Sequence, residues 1–176
     1  MAQSKYIQSV LDAAGGRPKS TQWYRDKIKE FGKPGAMDLI RDGKRNSRPF
    51  FGRLNMFIYD PKFKRTLPYY DTFPLVLPLE RIPGGFAGIN FHYLRPGARF
   101  TLLQRLQRFS ARGREVDSRN SFDVSYNRVK NISLVKNTIK KYLFNHVRSN
   151  FLRVDYDEAA LAVYLPVAQF KKGSPY

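Results

Sequence analysis

The chain has 176 residues and a formal net charge of +18, with 32 Lys and Arg side chains against 14 Asp and Glu side chains. Hydrophobic residues make up 42% of it and aromatic residues 15%, which is enough to build a core and excludes a wholly disordered chain. The lack of cysteine excludes a disulfide framework, a thiol nucleophile and a thiolate metal site, and no apolar run approaches the roughly 20 residues of a membrane-spanning helix, so no membrane insertion is expected.

Residues 1–48 are predicted to form a basic helical arm. Apolar residues at helical spacing predict short helices over residues 4–14, 21–31 and 35–42, each followed by glycine. Each helix carries too few apolar side chains to build a core alone. We therefore expect the arm to dock on the rest of the chain or on another molecule, with Trp23 as one of its aromatic contacts.

Residues 49–170 are predicted to form an α+β core domain that begins with a small antiparallel sheet, for which a barrel-like curl is one option. Strands are predicted over residues 50–59, 75–79 and 86–94, because turn residues bound these apolar runs. Pro78 cannot donate to a strand ladder, so its strand is predicted at a sheet edge. The proline-interrupted segment 68–74 is predicted to be an ordered loop, and Gly84, Gly85 and Gly88 to be turn and close-packing glycines.

Helices are predicted to return in the second half of this domain. Residues 97–111 place Phe100, Leu103 and Leu106 on one face, and residues 133–147 carry apolar side chains at a similar spacing. A strand over residues 151–156, a helix or strand over 159–165 and a tail over 171–176 complete the predicted chain.

Side chains suited to catalysis are few. His92 and His146 are the two histidines, and neither has a carboxylate nearby in the sequence, so both are expected to be structural. The sequence has no nucleophile elbow and no glycine-rich phosphate loop. The acidic cluster of Asp155, Asp157 and Glu158 is explained by a turn, although a metal-dependent nuclease would use such residues. We expect no cofactor, no metal, no catalytic residue and no enzymatic activity.

The predicted binding surface follows the positive charge. Residues 95–148 carry 13 basic and 3 acidic side chains, and such a field attracts nucleic acid, an anionic membrane surface or an acidic protein. The basic residues predicted to bind a polyanion or partner are Arg105, Arg108, Arg112, Lys136, Lys140 and Lys141. The aromatic residues predicted at an interface are Trp23, Tyr69, Tyr70 and Phe73, although aromatic side chains in a small domain are more often core.

Five segments carry a resemblance to a known class of proteins: residues 23–25, 56–62, 67–75, 85–94 and 163–170. Together they resemble small virion-associated structural proteins, of tail or baseplate type, from contractile-tailed bacteriophages. The resemblance implies a non-enzymatic virion subunit, assembled in the host cytoplasm in several copies, that bridges larger and acidic structural proteins. The alternative is a non-specific DNA-binding protein that acts on phage genome ends or in packaging, which predicts weaker DNA binding when the three arginines of residues 105–112 are replaced together by alanine.

Overall fold

The computed structural model describes residues 13, 15, 45–110, 124–154, 163 and 168–176, with the backbone alone for residues 107–110. The strands in these residues are β1 (Arg45–Asn46), β2 (Leu54–Met56), β3 (Tyr70–Asp71), β4 (Leu75–Ile82), β5 (Gly85–Asn90), β6 (Ile139–Leu143), β7 (Phe151–Val154) and β8 (Phe170–Lys171). The helices are α1 (Pro96–Ser110), α2 (Tyr126–Val129) and α3 (Ser133–Lys136), with 3-10 turns at Phe91–Tyr93 and Phe144–His146. The predicted arm helices and the element over residues 159–165 lie almost wholly outside this description.

Six of the strands form one antiparallel sheet in the order β1-β7-β2-β4-β5-β6, and β3 pairs with β8 in a separate two-stranded sheet. The prediction of an α+β domain with a small antiparallel sheet is therefore confirmed. In the described part of the chain the large sheet ends at β1 and at β6 and does not close into a barrel. β1 lies within the range predicted for the arm, so the sheet begins before residue 49.

The strand that contains Pro78 lies in the interior of the sheet, so its predicted position at a sheet edge is wrong. Its strand, β4, lies between β2 and β5, and the register with β5 shifts between Pro78 and Glu80. A bulge at this point accommodates a residue that cannot donate a ladder hydrogen bond. Opposite it, a Cβ atom on Gly88 would lie 2.6 Å from the Val76 side chain and 2.7 Å from the Leu77 carbonyl oxygen, which confirms Gly88 as a close-packing glycine.

The predicted helix over residues 133–147 is also wrong. Only α3 is α-helical, and the chain then extends into β6, which pairs with β5 from Ile139 opposite Ile89 to Leu143 opposite Gly85 and is followed by the 3-10 turn Phe144–His146. Apolar side chains at 135, 139, 142 and 143 match helical spacing, but the β-branched and aromatic residues among them fit a paired strand. Pairing with β5 buries Tyr142 to 4% exposure, a gain that an isolated helix does not offer.

The sheet has a different core on each face. One cluster joins Leu75, Leu77 and Ile89 of the sheet to Leu102 and Leu106 of α1, which confirms the predicted apolar face of that helix. The other cluster is mainly aromatic and consists of Phe57, Tyr59, Val76, Phe86, Tyr142 and Phe151. Successive β4 residues alternate between the two clusters, as the pleat of a strand requires. The aromatic face positions the groove described below.

The C-terminal residues pack against the domain. Tyr176 accepts a hydrogen bond of 2.7 Å through its hydroxyl group from the Arg99 guanidinium, which also donates to the backbone carbonyl groups of Leu94 and Val163. The domain boundaries at residues 48 and 170 stay predictions. Among the described residues, none of the helices combines the length and the apolar character that crossing a bilayer requires.

Candidate nucleic-acid interface

The predicted basic residues do not form one continuous surface on a helix. Arg105 is exposed on α1, whereas the side chain of Arg108 and the whole of Arg112 lie outside the description. Lys136 is exposed at the end of α3, and Lys141 is exposed on β6. These residues therefore belong to three different elements, and their role in binding stays a prediction.

Lys140 differs from these residues because it is partly buried against aromatic rings. Its ammonium nitrogen lies 4.2 Å from the ring centroid of Tyr93, and burial lowers the pKa of the amine. The Tyr93 ring in turn packs against Tyr69 and Phe170, with centroid separations of 5.8 and 5.2 Å. Burial also raises the pKa of Tyr93 to about 12. This lysine stabilises its own domain through a cation–π contact.

The aromatic residues predicted at an interface are largely used within the fold. Phe73 is 9% exposed in the apolar core, Tyr69 belongs to the ring cluster around Tyr93, and Tyr70 is half-buried on β3. Trp23 lies outside the described residues. The contacts of these side chains with a partner stay predictions.

The one histidine–carboxylate pair in the described residues is buried. The Nδ1 atom of His92 lies 2.7 Å from Oδ2 of Asp71, and their side chains are 0% and 1% exposed. Because an ionised carboxylate only accepts hydrogen bonds, His92 donates through Nδ1. Complete burial lowers the pKa of His92, whereas the hydrogen bonds that Asp71 accepts, chiefly from His92, outweigh its burial and hold its pKa below the usual value.

This pair ties the small sheet to the large one. Asn90 of β5 donates to the Asp71 carboxylate at 3.3 Å and to the Tyr142 hydroxyl oxygen at 3.0 Å. A pair sealed inside such a network does not reach a substrate. The Nδ1 atom of His146 lies 2.8 Å from the Asp60 carbonyl oxygen, and its structural role stays a prediction. Asp155, Asp157 and Glu158 lie outside the description, and among the described residues no three metal-ligating side chains converge.

A groove of about 550 Å³ opens on the aromatic face of the sheet. We call it the arginine groove, because both of its charged lining residues are arginines. Its lining consists of Ser47, Arg48, Pro49, Phe51, Arg81, Phe144, Val147, Ser149, Asn150 and Phe151. Among these lining residues there is no carboxylate, so an anion that enters the groove meets positive charge and polar groups.

Strand pairing brings the walls of the groove together. β1 pairs with β7 so that Asn46 faces Phe151, which places Arg48 beside the segment that enters β7. At the other wall, the backbone N–H of Phe144 donates to the carbonyl oxygen of Gly84 at 2.9 Å. This bond fixes the Phe144 turn next to the end of β4, where Arg81 lies.

The two arginines and two phenylalanines give the groove its chemistry. The Arg81 guanidinium carbon lies 5.1 Å from the centroid of the Phe51 ring, so a cation–π contact orients its donors. Phe144 packs on Phe86 with centroids 5.9 Å apart, yet 42% of it stays exposed. Guanidinium groups bind phosphate oxygens through paired hydrogen bonds, and an exposed phenyl ring stacks on a base. The arrangement suits a nucleotide.

Sequence reasoning did not find the groove residues. Arg48 lies in a segment that reads as an exposed basic linker, Arg81 is an isolated charge at the end of a strand, and Phe144 falls within the helix that does not form. No local pattern joins these positions, because only the pairing of β1 with β7 and of β5 with β6 makes them neighbours. The nearest signal was the run of arginines and lysine before Pro49.

Comparison with known proteins gives one decisive match. Residues 4–176 match the family model described as the Phage T4 terminal DNA protecting protein. The chain belongs to this family. No curated protein and no solved structure matches the chain.

The family corrects the favoured interpretation of the sequence. A bacteriophage protein is confirmed, but the family is described by protection of DNA termini and not as a tail or baseplate component. The prediction of a structural tail or baseplate subunit that bridges acidic virion proteins is therefore wrong. The five segments that carry the resemblance are aromatic and rich in proline and glycine. Such residues indicate packing elements and do not distinguish one class of phage protein from another.

Proposed function

We propose that this protein binds the ends of linear duplex DNA in the arginine groove and shields them from nucleases. The observation that carries this proposal is the groove itself, where two arginines and an exposed phenylalanine face one cavity and none of the described lining residues is a carboxylate. The family's description, which names protection of terminal DNA, supports the same reading.

A DNA end differs from the interior of a duplex in two ways that the groove can recognise. The outer face of the last base pair is free to stack, and Phe144 offers an exposed ring for it, an interaction of roughly 1–3 kcal/mol per base. The last phosphates can also enter a concave site, where Arg48 and Arg81 supply paired donors. Interior base pairs are covered on both faces, so the stacking contribution is lost there.

The charge of the whole chain supports this role. A net charge of +18 steers a polyanion toward the protein and raises the rate of encounter. Affinity that comes from phosphate contacts falls steeply with salt, by a slope of about 0.9 per neutralised phosphate on a double-logarithmic plot. The groove adds preference for an end to an attraction that is otherwise independent of position.

The proposed protection is by binding alone, without a reaction. The acid–base pair of Asp71 and His92 is buried away from the groove lining, so it does not reach bound DNA. A protein that stays on the ends of the genome is carried with it, and we propose the virion as its location on this ground.

The test compares two forms of one duplex, a linear form with blunt ends and a form whose ends are closed by hairpin loops. We expect the protein to bind the linear form more tightly than the closed form. We also expect an exonuclease to digest the linear form more slowly when the protein is present than when it is absent. The variant Arg48→Ala/Arg81→Ala should weaken binding at least about tenfold, since a hydrogen bond to a charged group contributes about 1.5 kcal/mol or more. Phe144→Ala should reduce the preference for the linear form.

The matched control is Arg95→Ala/Lys130→Ala, which removes the same charge from two exposed residues outside the groove lining. It should keep the preference for ends. Equal affinity of the wild-type protein for the linear and closed duplexes would overturn the proposal. Undiminished protection by the groove variant would overturn the assignment of the site.

A further inference from the structure

A second basic surface lies next to the groove, on the turn of residues 61–67, which we call the basic finger. Phe63 stands on this turn and is 62% exposed, more than any other large hydrophobic side chain in the described residues. Lys62, Lys64 and Arg65 flank it and are exposed, and the Lys62 ammonium group lies 5.3 Å from the Phe63 ring centroid. An apolar tip is thus surrounded by positive charge.

The finger is held in one shape by hydrogen bonds. The backbone N–H groups of Thr66 and Leu67 both donate to the Phe63 carbonyl oxygen, at 3.0 and 3.1 Å. From the C-terminal segment, the Lys172 ammonium group donates to the carbonyl oxygens of Arg65 and Leu67, at 2.8 and 3.3 Å. Lys172 has a φ of 66°, a left-handed conformation that a lysine keeps only where its surroundings impose it. The exposed Phe63 ring therefore lies on a turn that hydrogen bonds hold in place.

The finger is continuous with the arginine groove. Tyr59 forms a β-bridge with Val147, which lines the groove, and the Asp60 N–H donates to the His146 carbonyl oxygen at 3.0 Å. Phe63 follows Asp60 by three residues, so it lies within about 10 Å of that point along the chain. The finger therefore begins beside the wall of the groove that Val147 forms.

The positive charge and the apolar tip of this surface together favour DNA as its partner. Asp60 is the carboxylate at the base of the finger, and it is already engaged by Lys64 at 2.7 Å and Arg148 at 3.6 Å. The cations around Phe63 thus favour a polyanion that also offers an apolar surface. Stacked bases between phosphate strands have this combination, and proteins kink duplexes by inserting an apolar side chain between bases while cations hold the backbone.

We propose that the basic finger inserts Phe63 between base pairs of the duplex, beside the end that is seated in the groove. This role rests on the proposed function, because the groove fixes where along the DNA the finger falls. Lys62 and Arg65 bind the phosphates on either side of the inserted ring. The insertion locks the protein on the duplex and opposes its sliding off the end.

The experiment uses blunt duplexes that carry the fluorescent base 2-aminopurine at successive positions from the end. Unstacking raises its fluorescence, so the wild-type protein should raise the signal at one position near the end and leave more distant positions unchanged. Phe63→Ala should abolish this signal and weaken binding about tenfold, as expected for loss of one stacking contact. Phe63→Trp should retain the signal. Because Phe63 is exposed, these variants are expected to fold, which thermal unfolding checks.

The salt dependence separates the ring from its cations. Lys62→Ala/Arg65→Ala should lower the slope of affinity against salt by about 1.8, whereas Phe63→Ala should leave the slope unchanged.

No wild-type fluorescence change at any position, or an equal change with Phe63→Ala, would overturn the insertion. A preference for linear over hairpin-closed duplex that persists in Phe63→Ala would show that the groove still binds ends, so failure of the finger is distinguishable from failure of the proposed function. Loss of binding to polyglutamate but not to DNA in Phe63→Ala would also overturn the insertion and point to an acidic protein.

Discussion

Replacement of Asp71 by alanine removes the acceptor on which the junction of the two sheets depends. Its carboxylate accepts hydrogen bonds from the backbone N–H groups of Phe73 and Gln169 and from the side chains of His92 and Asn90. Asp71→Ala leaves the His92 Nδ1–H and one of the two amide hydrogens of Asn90 without an acceptor, while the other stays bonded to the Tyr142 hydroxyl oxygen. Each buried donor left without an acceptor costs about 1–3 kcal/mol. For two such donors we expect a loss of about 2–6 kcal/mol in the free energy of unfolding, which corresponds to a melting temperature lower by about 4–24 °C.

The same pair makes stability depend on pH. Burial holds the pKa of His92 below its ordinary value of 6.5, so below pH 6.5 the unfolded chain binds a proton that the folded chain does not. The free energy of unfolding therefore decreases as the pH is lowered below 6.5, by at most about 1.4 kcal/mol per pH unit for one proton. The pKa of Asp71 is also lowered, from 3.8, so its contribution is lost only in stronger acid.

Urea unfolding at a series of pH values from 7.5 to 5 measures both effects. Asp71→Asn keeps an oxygen for the two backbone donors and should lose less stability than Asp71→Ala. In His92→Gln the free energy of unfolding should decrease less between pH 6.5 and pH 5 than it does in the wild-type protein. Two results would refute the reasoning: a loss below about 1 kcal/mol in Asp71→Ala, or wild-type stability that does not change between pH 7.5 and 5.

Three further changes test the packing and the groove. Gly88→Ala should cost about 1–3 kcal/mol because its Cβ atom would meet the neighbouring strand, whereas Gly97→Ala, with open space around it, should be neutral or stabilising in the same urea assay. Tyr142→Phe should cost about 1 kcal/mol, since the hydroxyl group no longer accepts the Asn90 hydrogen bond; no change in the urea midpoint would contradict this. Arg48→Ala/Arg81→Ala should lower the salt slope for linear duplex binding by about 1.8; an unchanged slope in an anisotropy titration would show that neither arginine contacts phosphate.

Elements whose signals are local could be predicted from the sequence. The spacing of Phe100, Leu103 and Leu106 predicted α1, and the turn residues Gly84 and Gly85 predicted the hairpin between β4 and β5. These predictions succeed because helical periodicity and turn chemistry depend on residues a few positions apart.

Predictions that depended on distant contacts failed. The helix over residues 133–147 gave way to β6, because pairing with β5 buries Tyr142 and supplies the backbone hydrogen bonds of a strand. The strand of Pro78 lies between two others and not at an edge; the proline follows the last residues of β4 that pair with β2, and the register with β5 shifts directly after it. In both cases the local pattern fitted two structures, and the neighbouring strand selected between them.

The sequence by itself determined the α+β class, the strong positive charge and the attraction to polyanions, since these follow from composition and short-range spacing. Only the tertiary structure decided where that charge can act. Antiparallel pairing brings Arg48, Arg81 and Phe144 from separate parts of the chain to one groove, and a bond from Lys172 fixes the finger beside it. Such sites arise from hydrogen-bonded register between distant strands, which one-dimensional periodicity does not encode.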